Sequence, residues 1–406
     1  MAKFRYQGFS SEGKKVEGSI DADSIKDAKK LLRRQSIRAT KITAPSIFEL
    51  DLGEYLADKG LSRPYGQPEL MRFTRQLSIL INAGVPILES LEILTKQEQN
   101  ASLKKVIRNI SINVEEGKSL YESMNNQTGF TKLYCSLVKA GEAAGILDTI
   151  LVKLAEFLER AEKIKKQVKS ALTYPVIVMV VGIAVVFGLM TFVVPQFVSI
   201  LQETNQEIPW VTQTVIDISE FFQEYTVLLL VGIVCFAMIF LNYIKTTAGK
   251  KQWDIFTMKM PLFGLLIIKG NLGSFTRTLA TMLSAGVPII DSLEICIETL
   301  DNTQIAKDLE KVRKAVIEGK SITEPLSRIK YFPPLVTQMM KVGESTGNLD
   351  QMLLKVADVF EEEVEELVQN LTKLIEPIIL VVLGGMIGFV LIAMYLPIFM
   401  SAGGVE

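Results

Sequence analysis

Three long stretches of this chain carry no charged side chain. The first covers residues 170–202, with an apolar centre at 176–194; the second covers 226–244 and the third 377–405. A bilayer core is crossed by roughly 20 apolar helical residues, and each stretch is long enough. A buried core helix is the plain alternative for any one of them, but three such runs in one chain predict three transmembrane helices. Elsewhere the pattern is that of amphipathic helices. Phe73, Leu77, Leu80 and Ile81 share one helix face. Ala83-Gly84-Val85-Pro86 then interrupts the helix, glycine permitting the turn and proline opening the next helix.

The same pattern returns 202 residues later. Phe73-Thr-Arg-Gln-Leu-Ser-Ile-Leu-Ile-Asn-Ala-Gly-Val-Pro is matched by Phe275-Thr-Arg-Thr-Leu-Ala-Thr-Met-Leu-Ser-Ala-Gly-Val-Pro. The offset also pairs Glu116-Gly-Lys-Ser with Glu318-Gly-Lys-Ser, and Gly141-Glu-Ala-Ala-Gly-Ile-Leu-Asp with Gly343-Glu-Ser-Thr-Gly-Asn-Leu-Asp. It continues into the membrane, pairing Pro175 with Pro377 and Pro195 with Pro397. Each copy is therefore a helical module fused to the span that follows it, and about six mostly antiparallel helices are expected per module. Gly117 and Gly319 fit helix ends. Ser119-x-x-Glu122 and Ser321-x-x-Glu324 read as capping boxes in which serine and glutamate each satisfy an orphan amide.

The first 44 residues differ. Phe4 and Tyr6, then Val16, Gly18 and Ile20, flank Ser11-Glu12-Gly13-Lys14 as a hairpin would. A basic helix is expected over 24–35, with Ala28, Leu31 and Leu32 on its apolar face, and a short strand near Thr40-Lys41-Ile42. Residues 1–45 hold 11 basic and 5 acidic side chains, which suits either an acidic partner or anionic lipid, or simply a solvated face. The opening residues lack the apolar core of a cleaved signal peptide. Pro45, Gly53, Gly60, Pro64, Gly66 and Pro68 mark 45–68 as a linker.

Charge sets the orientation. The formal net charge is −1, from 44 basic and 45 acidic residues. No basic residue lies between Ser170 and Ile244 or after Lys373, so every lysine and arginine falls on one side of the three spans. That side is the cytoplasm by the positive-inside rule, which places the N-terminus inside and the C-terminus outside. The inner segments then carry 44 basic against 39 acidic residues, and the outer ones six acidic residues alone. Near-neutral charge overall argues against nucleic-acid binding.

The chemistry is sparse. There are no histidines, and Cys135, Cys235 and Cys296 are far apart. The commonest general base is missing, and no zinc or disulfide pattern is present. Glu-Gly-Lys-Ser resembles the tail of a phosphate-binding loop, but Ile112 and Lys314 stand where that loop needs its first glycine, and helix capping explains both copies. The acidic run Glu361-Glu362-Glu363-Val364-Glu365-Glu366 is expected as an exposed helix face, since consecutive side chains diverge around a helix and cannot converge on one cation. Glu142, Gly145 and Asp148, with Glu344, Gly347 and Asp350, form the candidate functional motif. Asp148 and Asp350 lie near helix starts, where negative charge is favourable; Glu142 and Glu344 lie near helix ends, where it is not. Those glutamates call for a backbone amide or a basic residue of their own bundle, or else a partner protein or ion. With no nucleophile or histidine beside them, the reading is not that of an enzyme, and no cofactor or metal is expected. Absence of ionisable groups within the spans also counts against an ion-coupled transporter, the remote alternative.

Two Phe-Thr-Arg … Ala-Gly-Val-Pro modules, each followed by Gly-Glu-x-x-Gly-x-Leu-Asp and a proline-bounded span, resemble the inner-membrane platform proteins of type IV pilus and type II secretion machines. The opening Phe4-x-Tyr6 … Gly18-x-Ile20 and the closing Ala393-Met-Tyr-Leu-Pro-Ile-Phe399 resemble the same family, the latter its pilus branch. The resemblance implies a scaffold that hydrolyses nothing. It couples a cytoplasmic hexameric assembly or retraction ATPase to pilin or pseudopilin subunits, alongside other inner-membrane assembly proteins and membrane lipid, and as a homo-oligomer. The expected fold is mainly α, a polytopic membrane protein with three transmembrane helices, two repeated cytoplasmic helical bundles and a small α/β N-terminal segment. Its plan is 1–44 α/β segment, 45–68 linker, 69–171 first bundle, 172–196 first span, 197–225 outer loop, 226–244 second span, 245–373 second bundle, 374–400 third span and 401–406 outer tail.

Overall fold

Alternating side chains at the N-terminus build a small antiparallel sheet. In the computed structural model, which describes residues 2–9, 15–22, 29, 32, 38–43, 64–203 and 208–403, strand β1 (Ala2–Phe9) pairs with β2 (Lys15–Ala22), and β3 (Arg38–Thr43) joins the other edge of β1. Phe4 faces Ile20 and Tyr6 faces Gly18 across the first ladder. A Cβ at position 18 would come within 2.9 Å of the Tyr6 hydroxyl, so the ring occupies space that only glycine leaves free. The second ladder slips by a bulge between Gln7 and Gly8. Lys29 and Leu32 are helical; the rest of the expected 24–35 helix, the Ser11–Lys14 turn and the linker up to residue 63 lie outside the described residues.

The chain divides into two compact units, Met1–Ala155 and Glu156–Glu406. In the first, α1 (Gln67–Asn82), α2 (Ile87–Gln97), α3 (Ala101–Glu115), α4 (Leu120–Asn125) and α5 (Lys132–Ala144) lead into a long helix α6 (Leu147–Gly188) that crosses the unit boundary. Phe73, Leu77, Leu103, Ile107, Tyr134 and Leu151 are among its fully buried core residues. Leu80 and Ile81 are only half-buried, and the small polar Thr74 and Ser78 take the innermost places on α1. Their hydroxyls are satisfied locally: Thr74 donates to the Leu70 carbonyl and meets the Tyr134 hydroxyl at 3.1 Å.

The second unit opens within α6 at Glu156, continues through a π-helical turn (Leu189–Val193) into α7 (Val194–Glu203), and returns in α8 (Trp210–Lys245). It then forms α9 (Thr247–Lys259), α10 (Phe263–Ser284), α11 (Ile289–Glu298), α12 (Thr303–Ile317), α13 (Thr323–Ser327), α14 (Pro334–Thr346) and α15 (Leu349–Gly403). The ends of α10, the starts of α11, α12, α14 and α15, and the ends of α12 and α14 all fall 202 residues after their counterparts in the first unit. Local signals repeat as well: Asn100 and Asn302 each cap the following helix through two backbone amides. The buried Phe275, Leu279, Ile305, Leu309 and Leu353 stand where Phe73, Leu77, Leu103, Ile107 and Leu151 stand in the first copy.

Among the described residues two helical runs are long and apolar enough to cross a membrane, Leu147–Ile200 and Leu349–Pro397. Helix α8 qualifies when its halves, bent by 54° between Leu229 and Val234, count together, as do α9 and α10 across a 110° bend. The segment 197–225, expected as a loop, is helical over most of its length: α7 runs to Glu203 and α8 begins at Trp210. The reason is an apolar stripe. Val211, Val215 and Phe222 recur at helical spacing and pack on Met190, Val194, Val390 and Met394.

Candidate functional site

The repeated Gly-Glu-x-x-Gly-x-Leu-Asp motif forms a corner between two helices. In the first unit α5 ends at Gly145, whose φ of 69° lies in the left-handed region, and the Ile146 amide closes back on the Gly141 carbonyl at 2.9 Å. Gly141 sits where α5 meets α6: a Cβ there would lie 3.1 Å from Ile150. Asp148 occupies the first turn of α6. The second unit repeats the corner, with Gly347 at φ 75°, Gly343 against Met352 and Leu349, and Asp350 in the first turn of α15.

The two glutamates, Glu142 half-buried and Glu344 exposed, reach back to an earlier helix start of their own bundle. The Glu142 carboxylate accepts hydrogen bonds from the backbone amides of Leu120 (2.6 Å) and Tyr121 (2.9 Å) at the start of α4. The Ser119 hydroxyl accepts from the next amide, that of Glu122, at 3.0 Å. Glu344 accepts from the Ile322 amide (3.2 Å) and from the hydroxyls of Ser321 (2.5 Å) and Thr323 (2.8 Å). Each glutamate thus caps a short helix some 21–23 residues before it. The expected capping boxes are only half right. Serine takes the place foreseen at Ser119, but the carboxylate that completes the cap is Glu142, brought in by the Gly145 corner, instead of Glu122. Burial alone would push the Glu344 carboxyl up. The Ser321 and Thr323 hydroxyls and the Ile322 and Thr323 amides outweigh it and hold the group below the ordinary carboxylate value. Burial pushes the Cys135 thiol up to about 11, and the buried Cys296 thiol up as well, so neither is a thiolate at neutral pH.

Two further arrangements were not foreseen from the sequence. The first is an ion cluster in the second unit. Arg277 on α10, 6% exposed, donates from Nε to Glu361 (2.8 Å) and from an η nitrogen to Asp358 (2.5 Å) on α15. Arg160 on α6 reaches the same two carboxylates, at 3.0 and 3.5 Å. One turn on, Lys163 of α6 donates to Glu365 at 2.8 Å, and Lys269 of α10 meets Glu363 at 2.7 Å. The acidic run, expected as an exposed face, is so only in part: Glu362 and Glu366 are exposed. Glu361, Glu363 and Glu365 are half-buried and each turns to a different basic partner, because successive side chains diverge around the helix. Among the described residues no group of three or more acidic or cysteine side chains is placed to hold a metal.

The second arrangement supplies the donors that two prolines of the apolar helices, Pro195 and Pro397, lack. Pro397 has no N–H to offer the Ala393 carbonyl four residues before it; the Thr212 hydroxyl of α8 donates there instead, at 2.6 Å. In the π-helical turn the register lengthens by one residue, the Val194 amide bonding the Leu189 carbonyl. Met190 would then need the amide of Pro195, which does not exist, and the Ser219 hydroxyl of α8 donates to it at 2.5 Å. Thr212 and Ser219 are both buried. Helix α8 is thus tied to the corresponding proline of each repeat, Pro195 and Pro397, by one hydroxyl apiece.

Helices α6 and α15 lie alongside each other in nearly matching register. Lys163 and Glu365, which bond each other, are 202 residues apart and so occupy the same position of the two repeats. Farther along, a Cβ on Gly182 would reach Leu383 at 2.6 Å. Between these points a cleft of about 440 Å³ is lined by Gln167 and Ser170 on one side and by Glu365, Gln369 and Lys373 on the other.

Comparison with known families agrees with this architecture. The model of "Type II secretion system (T2SS), protein F" matches residues 73–195 and again 275–397, and that of its N-terminal domain matches residues 1–43. The chain is 37% identical to a type IV pilus assembly protein PilC of Myxococcus xanthus, over 100% of this chain and 96% of that protein. It is 35% identical to a PilC of Thermus thermophilus, over 99% of both. A type II secretion system protein F of Pseudomonas aeruginosa is 30% identical over 98% of both.

Proposed function

Because this chain belongs to the type II secretion system protein F family, we propose that it is the inner-membrane platform of a type IV pilus assembly machine. The observation that carries this reading is full-length similarity to pilus assembly proteins, at 35–37% identity, above the 30% shared with the secretion protein of Pseudomonas aeruginosa. The platform of a secretion machine moving pseudopilins is the second reading, favoured by that relative's equal coverage. The task is mechanical. A cytoplasmic ATPase acts on the bundles, other inner-membrane assembly proteins surround the platform, and pilins enter or leave the filament base beside the spans.

The spans are α6 with α7, α8, and α15, three in all. The pair α9–α10 is not a fourth, since it carries Lys250, Lys251, Asp254, Lys259, Lys269 and Arg277, and α10 lies within the second bundle. Basic residues on one side only support a cytoplasmic N-terminus and an outer C-terminus. The sheet β1–β3, with the helical Lys29 and Leu32 between β2 and β3, supports an α/β N-terminal unit. Glu142, Gly145 and Asp148, with Glu344, Gly347 and Asp350, act as internal braces of the bundles, a role supported by the backbone amides each glutamate accepts. Deleting the gene tests the whole reading: surface pili disappear while membrane pilin stays at its normal level, and restoring the gene restores pili. Normal piliation in the deletion strain refutes it; loss of secreted proteins with pili intact selects the second reading.

A further inference from the structure

A single residue, Thr246, separates α9 from the end of α8, its hydroxyl accepting the Gly249 amide at 3.1 Å. At 100° per residue, the buried Asp254 and the core-packed Met258 define an inner face. Asp254 is fixed there, accepting from the Thr303 amide and hydroxyl at 2.8 and 2.6 Å. Trp253, Phe256 and Met260 fall on the opposite side, and Trp253 and Phe256 are both exposed to the surroundings, Phe256 at 56%. Lys250 and Lys259, also exposed, border this stripe on its two sides. The stripe continues past the helix end. Phe263 donates its amide to the Pro261 carbonyl at 2.8 Å in a γ-turn that holds Leu262 at a φ of 66°, a conformation that a branched residue adopts only under constraint. Gly264 follows so closely against the Met258 carbonyl that a Cβ would sit 2.2 Å from it, so only glycine fits there. The turn leaves Leu262, Phe263 and Leu265 exposed beside the α9 stripe.

We propose that α9 and the Leu262 turn form an interfacial anchor, lying in the headgroup layer of the membrane with Trp253, Phe256, Leu262 and Phe263 inserted toward the acyl chains. The partner is the lipid surface. Continuity with the apolar helix α8 supports it: Trp253 packs edge-on against Phe240 of α8, ring centres 5.4 Å apart, and the Tyr243 hydroxyl donates to Gln252 at 2.8 Å. The aromatic stripe therefore starts at the depth where α8 ends. Trp and Phe with flanking lysines are the composition of a helix that rests in an interface bearing anionic lipid. The inner face, held by Asp254 and Met258, ties that surface to the second bundle, so the bundle is fixed to the membrane plane at a point other than its spanning helix. The proposal rests on the reading of α8 as a span.

Depth-resolved fluorescence tests it on the full chain. Trp210 and Trp253 are the only tryptophans, so Trp210→Phe leaves Trp253 as sole reporter. The protein is reconstituted in vesicles of phosphatidylethanolamine and phosphatidylglycerol carrying a nitroxide either at the headgroup or at the acyl terminus. Interfacial helices sit about 5–10 Å into the headgroup boundary, so the headgroup label is expected to quench Trp253 roughly twofold more than the terminal label. Trp253 unquenched by either label overturns the proposal, whether acrylamide reaches it (open to water) or not (covered by protein). Stronger quenching by the terminal label overturns it too, since the helix would then be buried in the core. A second chain, Trp210→Phe/Trp253→Phe/Phe236→Trp, reports on the middle of the uncharged stretch of α8 alone. Deep quenching there with none at Trp253 sinks the anchor and keeps the span; absence of deep quenching there sinks the span itself, and the anchor with it.

Discussion

Replacing Thr212 with valine removes one hydroxyl and leaves shape and volume nearly unchanged. Thr212 is 4% exposed and Ala393, whose carbonyl it serves at 2.6 Å, is fully buried. The carbonyl has no alternative within its helix, because residue 397 is proline. A neutral hydrogen bond contributes about 0.5–1.5 kcal/mol net, and an acceptor left buried without a donor costs about 1–3 kcal/mol. Hydrogen bonds inside membrane proteins average lower, about 0.6 kcal/mol with a maximum near 1.7, since partners are exchanged on unfolding. Ala393 cannot exchange within the folded state, so the upper half applies and Thr212→Val is expected to cost about 1–2 kcal/mol. The decisive comparison is a cycle with Pro397→Ala. Alanine restores the amide that belongs to Ala393, and in that background Thr212→Val should cost close to nothing, a coupling of about 1 kcal/mol or more. Reversible unfolding of the four chains in mixed micelles, titrated with SDS, measures all corners. An equal penalty in the proline and alanine backgrounds would refute the assignment of Thr212 to the proline's missing bond.

Other consequences are simpler to read. Glu344→Ala should destabilise the second bundle by about 1–2 kcal/mol, the site it leaves being partly open to water, whereas Glu344→Gln keeps one oxygen for the Ile322 amide and should lose less; thermal unfolding of the detergent-solubilised chain distinguishes them. Because the folded Glu344 carboxyl lies below its ordinary value, its contribution is complete above that value and disappears as pH falls through the folded one, so wild type should converge on Glu344→Gln in acid; a gap that persists in acid contradicts this. Arg277→Met leaves Asp358 and Glu361 to Arg160 alone and removes the buried partner, and should cost about 2–4 kcal/mol, while Arg160→Met, on the half-exposed side, should cost less than about 1 kcal/mol. Comparable losses from the two substitutions would show that burial does not set their difference. Gly343→Val forces a branched side chain between α14 and α15, where even a Cβ is 3.0 Å from Met352, and should lower the unfolding temperature more than Gly347→Ala, whose surroundings are open and whose cost is backbone strain alone.

Much of this was written in periodicities that one chain can display by itself. A repeat in fixed register, turns marked by Gly-Val-Pro and long uncharged runs announce two bundles and their membrane helices without any knowledge of contacts. Glu142 and Glu344 stood out because a carboxylate near a helix end needs a donor, and Ser119 marked a helix start; what the sequence withheld was that these two puzzles answer each other. Their meeting depends on a corner at Gly145 that redirects the chain. Arg277 gave no such sign, since its partners lie 81 and 84 residues away and nothing local distinguishes a buried arginine from a solvated one. Thr212 and Ser219 were hidden for another reason. Between Pro209 and the acidic residues of 217–224 they read as ordinary loop polarity, although Val211, Val215 and Phe222 already carried the spacing of a helix.

The meeting of Lys163 with Glu365 has a bearing on how such a chain arose. A two-fold axis between identical subunits sets each residue on the axis against its own copy, so a lysine there would face a lysine and a glutamate a glutamate. Joining the copies in one polypeptide lifts that rule. Once each half could change alone, repulsion at the seam was free to become attraction, and the halves ceased to be interchangeable. The opposite charges at this seam are therefore a property of the joined chain, one that two identical copies meeting at the same position could not display.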